Sequence, residues 1–144
     1  MTRRIGVLIA VVCLWLSASG AVSAKDYKKA EDVFVGGETV VGEPIAYPPG
    51  MAKVHALVVT LMPGEETGWH RHGVPLFGYV LEGEVTVDYG PHGTRTYRQG
   101  AGFMEAMATT HNGRNTGTEP CRVLAVFMGA EGATPTQRIP APSP

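Results

Sequence analysis

The feature that most limits the fold of this chain is its punctuation. Within residues 32–132 the apolar runs are short, and glycine or proline stops each of them. No stretch there carries the three-to-four-residue apolar period of an amphipathic helix, and short bounded runs of this kind build an all-β sandwich or barrel. Segment 84–89 shows the strand period most cleanly. Val85, Val87 and Tyr89 alternate with Glu84, Thr86 and Asp88, giving one apolar and one polar face, as a half-buried strand requires. Tyr89-Gly90-Pro91-His92-Gly93 supplies hairpin chemistry, so 94–98 is expected to return antiparallel to 84–89. Further strands are expected over 53–62, 77–81, 100–106, 110–115 and 122–128. No internal repeat is present, which points to one barrel and not a tandem pair.

The two ends read differently from the middle. Residues 1–24 have the pattern of a secretory signal peptide: Arg3 and Arg4, then an apolar run of 12 residues over 5–16, then Val22-Ser23-Ala24. A bilayer span needs about 20 apolar residues, so cleavage near Ala24 and export, periplasmic or secreted, are expected in preference to a membrane anchor. Cys13 raises a lipoprotein anchor, but Val12 before it is not the small residue such processing needs. Residues 25–31 are expected to be a flexible leader, 32–132 the folded domain, and 133–144, rich in Pro, Ala, Ser and Thr, a disordered tail.

Formal charge is −1 with 12 basic and 13 acidic residues, and removal of Arg3 and Arg4 would make it −3. No basic stripe exists, which argues against a nucleic-acid partner. After cleavage no other stretch is apolar and long enough to cross a membrane. Cys121 would then be the lone thiol, too few for an internal disulfide, and it is expected to serve as a small buried hydrophobe.

The chemistry concentrates in Gly64-Glu65-Glu66-Thr67-Gly68-Trp69-His70-Arg71-His72. Residues two apart on a strand share a face, so His70 and His72 point one way together. Two imidazoles on one face can hold a divalent ion, although an HxH pair alone is as readily a solvated or core pair. His111 is the leading candidate for a third donor. Arg71 and Arg114 flank these histidines, either as attractors for an anionic substrate or as solvated cations. His55 and His92 are expected to be partly buried or exposed histidines without a ligating role, and Asn115 to orient the turn after His111.

These residues fall into a pattern that resembles the cupin family. That family's first motif is a glycine, five residues, HxH, three or four residues, a glutamate, six residues and a glycine; Gly64, His70, His72 and Gly83 lie in register with it. Its second is a glycine, five residues, P-x-G, two residues, a histidine, three residues and an asparagine; Gly100, His111 and Asn115 lie in register, with Ala106 and Ala108 at the Pro and Gly positions. The resemblance implies an all-β double-stranded β-helix, or jelly-roll, barrel with a metal held by His70, His72 and His111 inside one mouth.

The family's glutamate ligand is replaced by Leu76, which cannot coordinate. Three neutral imidazoles would remain, a set that leaves open coordination positions. Glu105 is the candidate to compensate, as a fourth ligand or as a general base, if its side chain turns inward. The ion would be one divalent transition metal, whether iron, zinc, copper, manganese or nickel, since imidazole discriminates poorly among them. The expected function is a metal-dependent, oxygenase-type enzyme acting on a small organic molecule, with Glu105 moving a proton. The alternative is a non-catalytic module that binds a metal or a small ligand. Resemblance also makes a homodimer plausible.

Overall fold

The computed structural model describes residues 29–142. The expected signal peptide and most of the leader lie outside the described residues. Among the described residues, all regular structure belongs to the compact unit Asp32–Pro144. It comprises β1 (Ala52–Leu61), β2 (His70–His72), β3 (Leu76–Glu82), β4 (Glu84–Asp88), β5 (Thr94–Arg98), β6 (Gly102–Met104), β7 (Asn112–Arg114), β8 (Cys121–Ala130) and β9 (Thr136–Arg138). A 3₁₀ turn, Gly90–His92, links β4 to β5. The described residues contain no α-helix.

The strands form a four-stranded sheet in the order β1-β8-β3-β6, a three-stranded sheet β5-β4-β7 and a pair β2-β9. An isolated bridge between His70 and His111 ties the pair to the segment entering β7. Leu61 of β1, Val80 of β3, Phe103 of β6 and Cys121 of β8 meet Val85, Val87 and Tyr89 in one buried cluster. The sheets therefore close over a shared apolar core, the arrangement of a jelly-roll barrel. Each fully buried side chain of this size stabilises the fold by roughly 1.5–3 kcal/mol.

The alternation read over 84–89 is realised as expected. Val85, Val87 and Tyr89 are buried, and Tyr89 has no exposed surface at all. β4 pairs antiparallel with β5 from Glu84↔Arg98 to Asp88↔Thr94. Strands expected over 100–106 and 110–115 are shorter in the structure, Gly102–Met104 and Asn112–Arg114, and the segment between them carries the buried Glu105 and His111. Gly83 turns β3 into β4 at φ +70°, and a Cβ there would lie 2.7 Å from the carbonyl oxygen of Pro120, so no other residue fits without strain.

One expectation is corrected. Residues 133–144 were expected to be a disordered tail, yet Thr136–Arg138 form β9 and pair with β2 in the register His70↔Arg138, Arg71↔Gln137, His72↔Thr136. All three residues of β9 are exposed, so the strand carries no apolar period for a sequence pattern to reveal. Backbone bonds and close approach hold it instead. Gly73 N–H donates to Pro135 O at 3.3 Å, Ile139 N–H donates to Trp69 O at 3.0 Å, and a Cβ on Gly73 would lie 2.5 Å from Thr134 O.

Candidate metal centre

The two ligand-bearing stretches meet through their backbones. His70 N–H donates to His111 O at 3.0 Å, and His111 N–H returns a bond to His70 O at 2.8 Å. His70 and His72 project inward from β2 on the same side, and His111 faces them. Ring centroids are 4.4 Å apart for His70 and His111, 4.9 Å for His70 and His72, and 5.1 Å for His72 and His111. One nitrogen from each ring lies within 4.8 Å of the others.

The outer hydrogen bonds define which nitrogen faces the centre. His70 Nδ1 meets Gly68 O at 2.7 Å, His72 Nδ1 meets Pro135 O at 3.2 Å and Thr136 Oγ1 at 3.1 Å, and His111 Nδ1 meets Thr109 O at 2.9 Å. A carbonyl oxygen only accepts, so each Nδ1 carries the proton and each Nε2 presents a lone pair. His111 Nε2 is buried and has no hydrogen-bond partner. Leaving such an atom unpaired costs about 1–3 kcal/mol, and a metal ion would satisfy it. A carbonyl or hydroxyl held on Nδ1 is the usual companion of metal-bound imidazole. The donor set fits a divalent metal.

Electrostatics agree with that fit. Burial, reinforced by the neighbouring His111 and His70 rings, drives the His72 imidazolium pKa down to about 3. His70 and His111 are also lowered, chiefly by burial. All three rings are therefore neutral at neutral pH, the form that coordinates metal.

Glu105 turns inward. It is 6% exposed, and its Oε2 lies 3.9 Å from His111 Nε2. Its Oε1 accepts from Ala106 N–H at 2.8 Å. Burial raises its pKa to about 7. The register explains its place: β3 pairs β6 at Phe77↔Met104, and Glu105 N–H donates to Leu76 O at 2.9 Å. Glu105 thus lies across the strand from Leu76, the position at which cupins carry a glutamate.

Two supporting residues lie outside both histidine motifs. Tyr89 is buried behind Glu105, and its hydroxyl meets Tyr97 Oη at 3.1 Å. Glu43, from the segment before β1, accepts from Met107 N–H at 2.6 Å and from Thr109 N–H and Oγ1–H at 2.7 and 2.8 Å. Burial opposes its charge, but these bonds win and hold the Glu43 pKa low. Met107 O also accepts from His72 N–H at 2.9 Å, and Thr109 O holds His111 Nδ1. One carboxylate therefore clamps the loop that positions two of the three imidazoles.

The other candidates lie elsewhere. Arg71 bonds Gln137 at the surface, and Arg114 pairs with Glu66 at 3.6 Å. His55 is exposed on β1 and stacks on Phe127, and His92 is exposed in the 3₁₀ turn. Asn115 is buried and ties its turn together, donating to Leu61 O and Glu119 O and accepting from Gly117 N–H. Cys121 is fully buried.

The three histidines and Glu105 border a cavity of about 510 Å³ whose other walls are mainly apolar, including Leu57, Val59, Val123 and Phe127. An all-β barrel with three facing histidines at the floor of an apolar cavity defines a metal-site barrel of the jelly-roll class. Residues 57–127 match the family model described as Cupin domain, and the chain belongs to the cupins. No curated protein matches the chain.

Among solved structures it is similar to a formate complex of oxalate decarboxylase from Lactobacillus farciminis, with a TM-score of 0.52 and 21% identity over 60% of this chain and 26% of that one. It is also similar to a Bacillus halodurans protein, with a TM-score of 0.50 and 22% identity over 57% of this chain and 67% of that one. The chain matches only about a quarter of the decarboxylase. Both likenesses are of fold.

Proposed function

We propose that this domain is a metal-dependent enzyme of the oxygenase type, acting on a small organic molecule in the exported compartment after cleavage near Ala24. The observation that carries the reading is the unpartnered, buried Nε2 of His111, facing two further imidazoles whose Nδ1 atoms are already occupied. One divalent ion of iron, zinc, copper, manganese or nickel would be held by His70, His72 and His111. When bound, it would supply a Lewis acid with vacant coordination positions.

The chain's own residues supply the rest. The apolar walls strip water from a bound molecule and strengthen every charge interaction inside. Glu105 is poised near neutrality, where a carboxyl group can both take and return a proton. Its Oε2 faces the centre from the side of His111, and its other oxygen is fixed by Ala106 N–H.

The alternative, a non-catalytic module that binds a metal or a small ligand, is favoured by one feature: Leu76 takes the place of the usual carboxylate ligand. Turnover separates the two readings. Metal-loaded protein is screened with small organic substrates for oxygen uptake and product formation, beside Glu105→Gln. The enzyme reading expects the variant to keep its metal and lose about 10²–10⁴-fold in rate. Stoichiometric binding without turnover across the screen would leave the binding module, and a variant as fast as the parent would remove Glu105 from the chemistry.

A further inference from the structure

The strand missed by sequence reasoning places an arginine where the sequence suggested none. β9 runs antiparallel to β2, and Arg138 stands directly opposite His70. Cross-strand partners in an antiparallel pair share a face, with Cβ atoms about 4.5–5.5 Å apart. His70 faces the centre, so Arg138 is carried to the same side, and it borders the cavity with the three histidines. By the same register Thr136 stands opposite His72, where its hydroxyl meets His72 Nδ1 at 3.1 Å. The C-terminal strand is therefore a wall of the site.

The guanidinium is held but not neutralised. Arg138 Nη1 donates to Thr67 O at 3.2 Å, and the same nitrogen lies so close to Gly68 that a Cβ there would be 3.1 Å away. Among the described residues no carboxylate pairs with Arg138; the ion pairs are Arg98–Glu84, His111–Glu105, Arg114–Glu66 and Arg122–Glu82. Glu66 also borders the cavity, but Arg114 already engages it. The remaining N–H donors of Arg138 form a planar fork at the edge of a chamber whose walls away from the histidines, Glu66 and Glu105 are mainly apolar. Such a fork matches a carboxylate in geometry and charge.

We propose that Arg138 is the anion anchor of the cavity, and that the ligand is a small carboxylate with an apolar body. Its carboxylate would rest on Arg138, and its body on Leu57, Val123 and Phe127. The proposal rests on the reading of this cavity as a ligand site and names the class of ligand it takes. It also makes the C-terminal strand part of ligand recognition, since a chain ending before β9 would keep all three histidines and lose the anchor.

The test uses calorimetry on the full chain loaded with zinc, a redox-silent ion, with benzoate and its neutral isostere benzamide as probes. Benzoate should bind more tightly than benzamide. Arg138→Gln should weaken benzoate by about tenfold to a hundredfold, leave benzamide unchanged and keep its zinc. Arg71→Gln, on the outer face, should match the parent with both probes. Equal benzoate affinity in Arg138→Gln and the parent would overturn the proposal. So would equal affinity of the parent for the two probes, or binding of neither.

Phenyl phosphate is the third probe, and tighter binding of it than of benzoate counts against the carboxylate. If the parent takes up no zinc, the metal reading fails on its own. The same titrations on the metal-free chain then decide Arg138 separately.

Discussion

Glu43 lies outside both histidine motifs, yet the structure gives it control of the loop that carries them together. In Glu43→Gln one carboxylate oxygen becomes an NH₂ donor facing a backbone or hydroxyl donor. Either the 2.6 Å bond from Met107 N–H or the pair from Thr109 at 2.7 and 2.8 Å is lost. A hydrogen bond to a charged group contributes about 1.5–3 kcal/mol. The carboxylate is half-buried, so the lower part of that range applies, and the variant should lose about 2 kcal/mol of stability in urea unfolding. The metal should feel more than the fold does. Met107 O fixes the His72 backbone and Thr109 O fixes the His111 ring, and loss of such outer support typically weakens metal binding by about tenfold to a hundredfold. Competition against a chromophoric zinc chelator reads this directly. A variant that lost stability but kept the parent's zinc affinity would refute the clamp, because Glu43 would then support the fold alone.

Acid should unfold the metal-free protein in a way that reports on the site. The three histidines have lowered folded pKa values, that of His72 to about 3. Below about pH 6.5 the unfolded chain takes up protons that the folded chain refuses, and stability falls by up to about 1.4 kcal/mol per pH unit for each such histidine. Glu105, raised to about 7, acts oppositely between 7 and 4.5, because there the folded state holds the proton. Urea unfolding with chelator present should therefore show a decline from pH 6.5 to 4.5 that steepens in Glu105→Gln; a flat profile in both proteins would contradict the burial of these groups. Separately, Gly73→Ala should push on Thr134 O, 2.5 Å from the new Cβ. Overpacking of this kind costs about 1–3 kcal/mol, and the Ile139 amide, bonded to Trp69 O, should exchange with solvent faster. Unchanged exchange would mean β9 is not held at that point.

Local pattern made some parts of this molecule legible and left others dark. Alternation over 84–89 revealed β4 because its two faces meet different surroundings. His70 and His72 were readable as a pair because two residues on a strand share a face, and His111 became readable through the spacing of the second motif. β9 was not readable, since a strand exposed at every position has no apolar face to impose a period on Thr136, Gln137 and Arg138. The place of Glu105 opposite Leu76 depended on the register of β6 against β3, which a single chain does not display. Glu43 was hidden for the same reason: its partners lie 64 and 66 residues away, and nothing in Val41-Gly42-Glu43-Pro44 foretells them.

The central claim is that three imidazoles share one metal ion, and elemental analysis of the purified full chain tests it most directly. The expected result is one divalent ion per chain, most of it lost in His70→Ala, in His72→Ala and in His111→Ala alike. A parent that holds no ion after incubation with iron, zinc, copper, manganese or nickel, or variants that keep full occupancy, would contradict it.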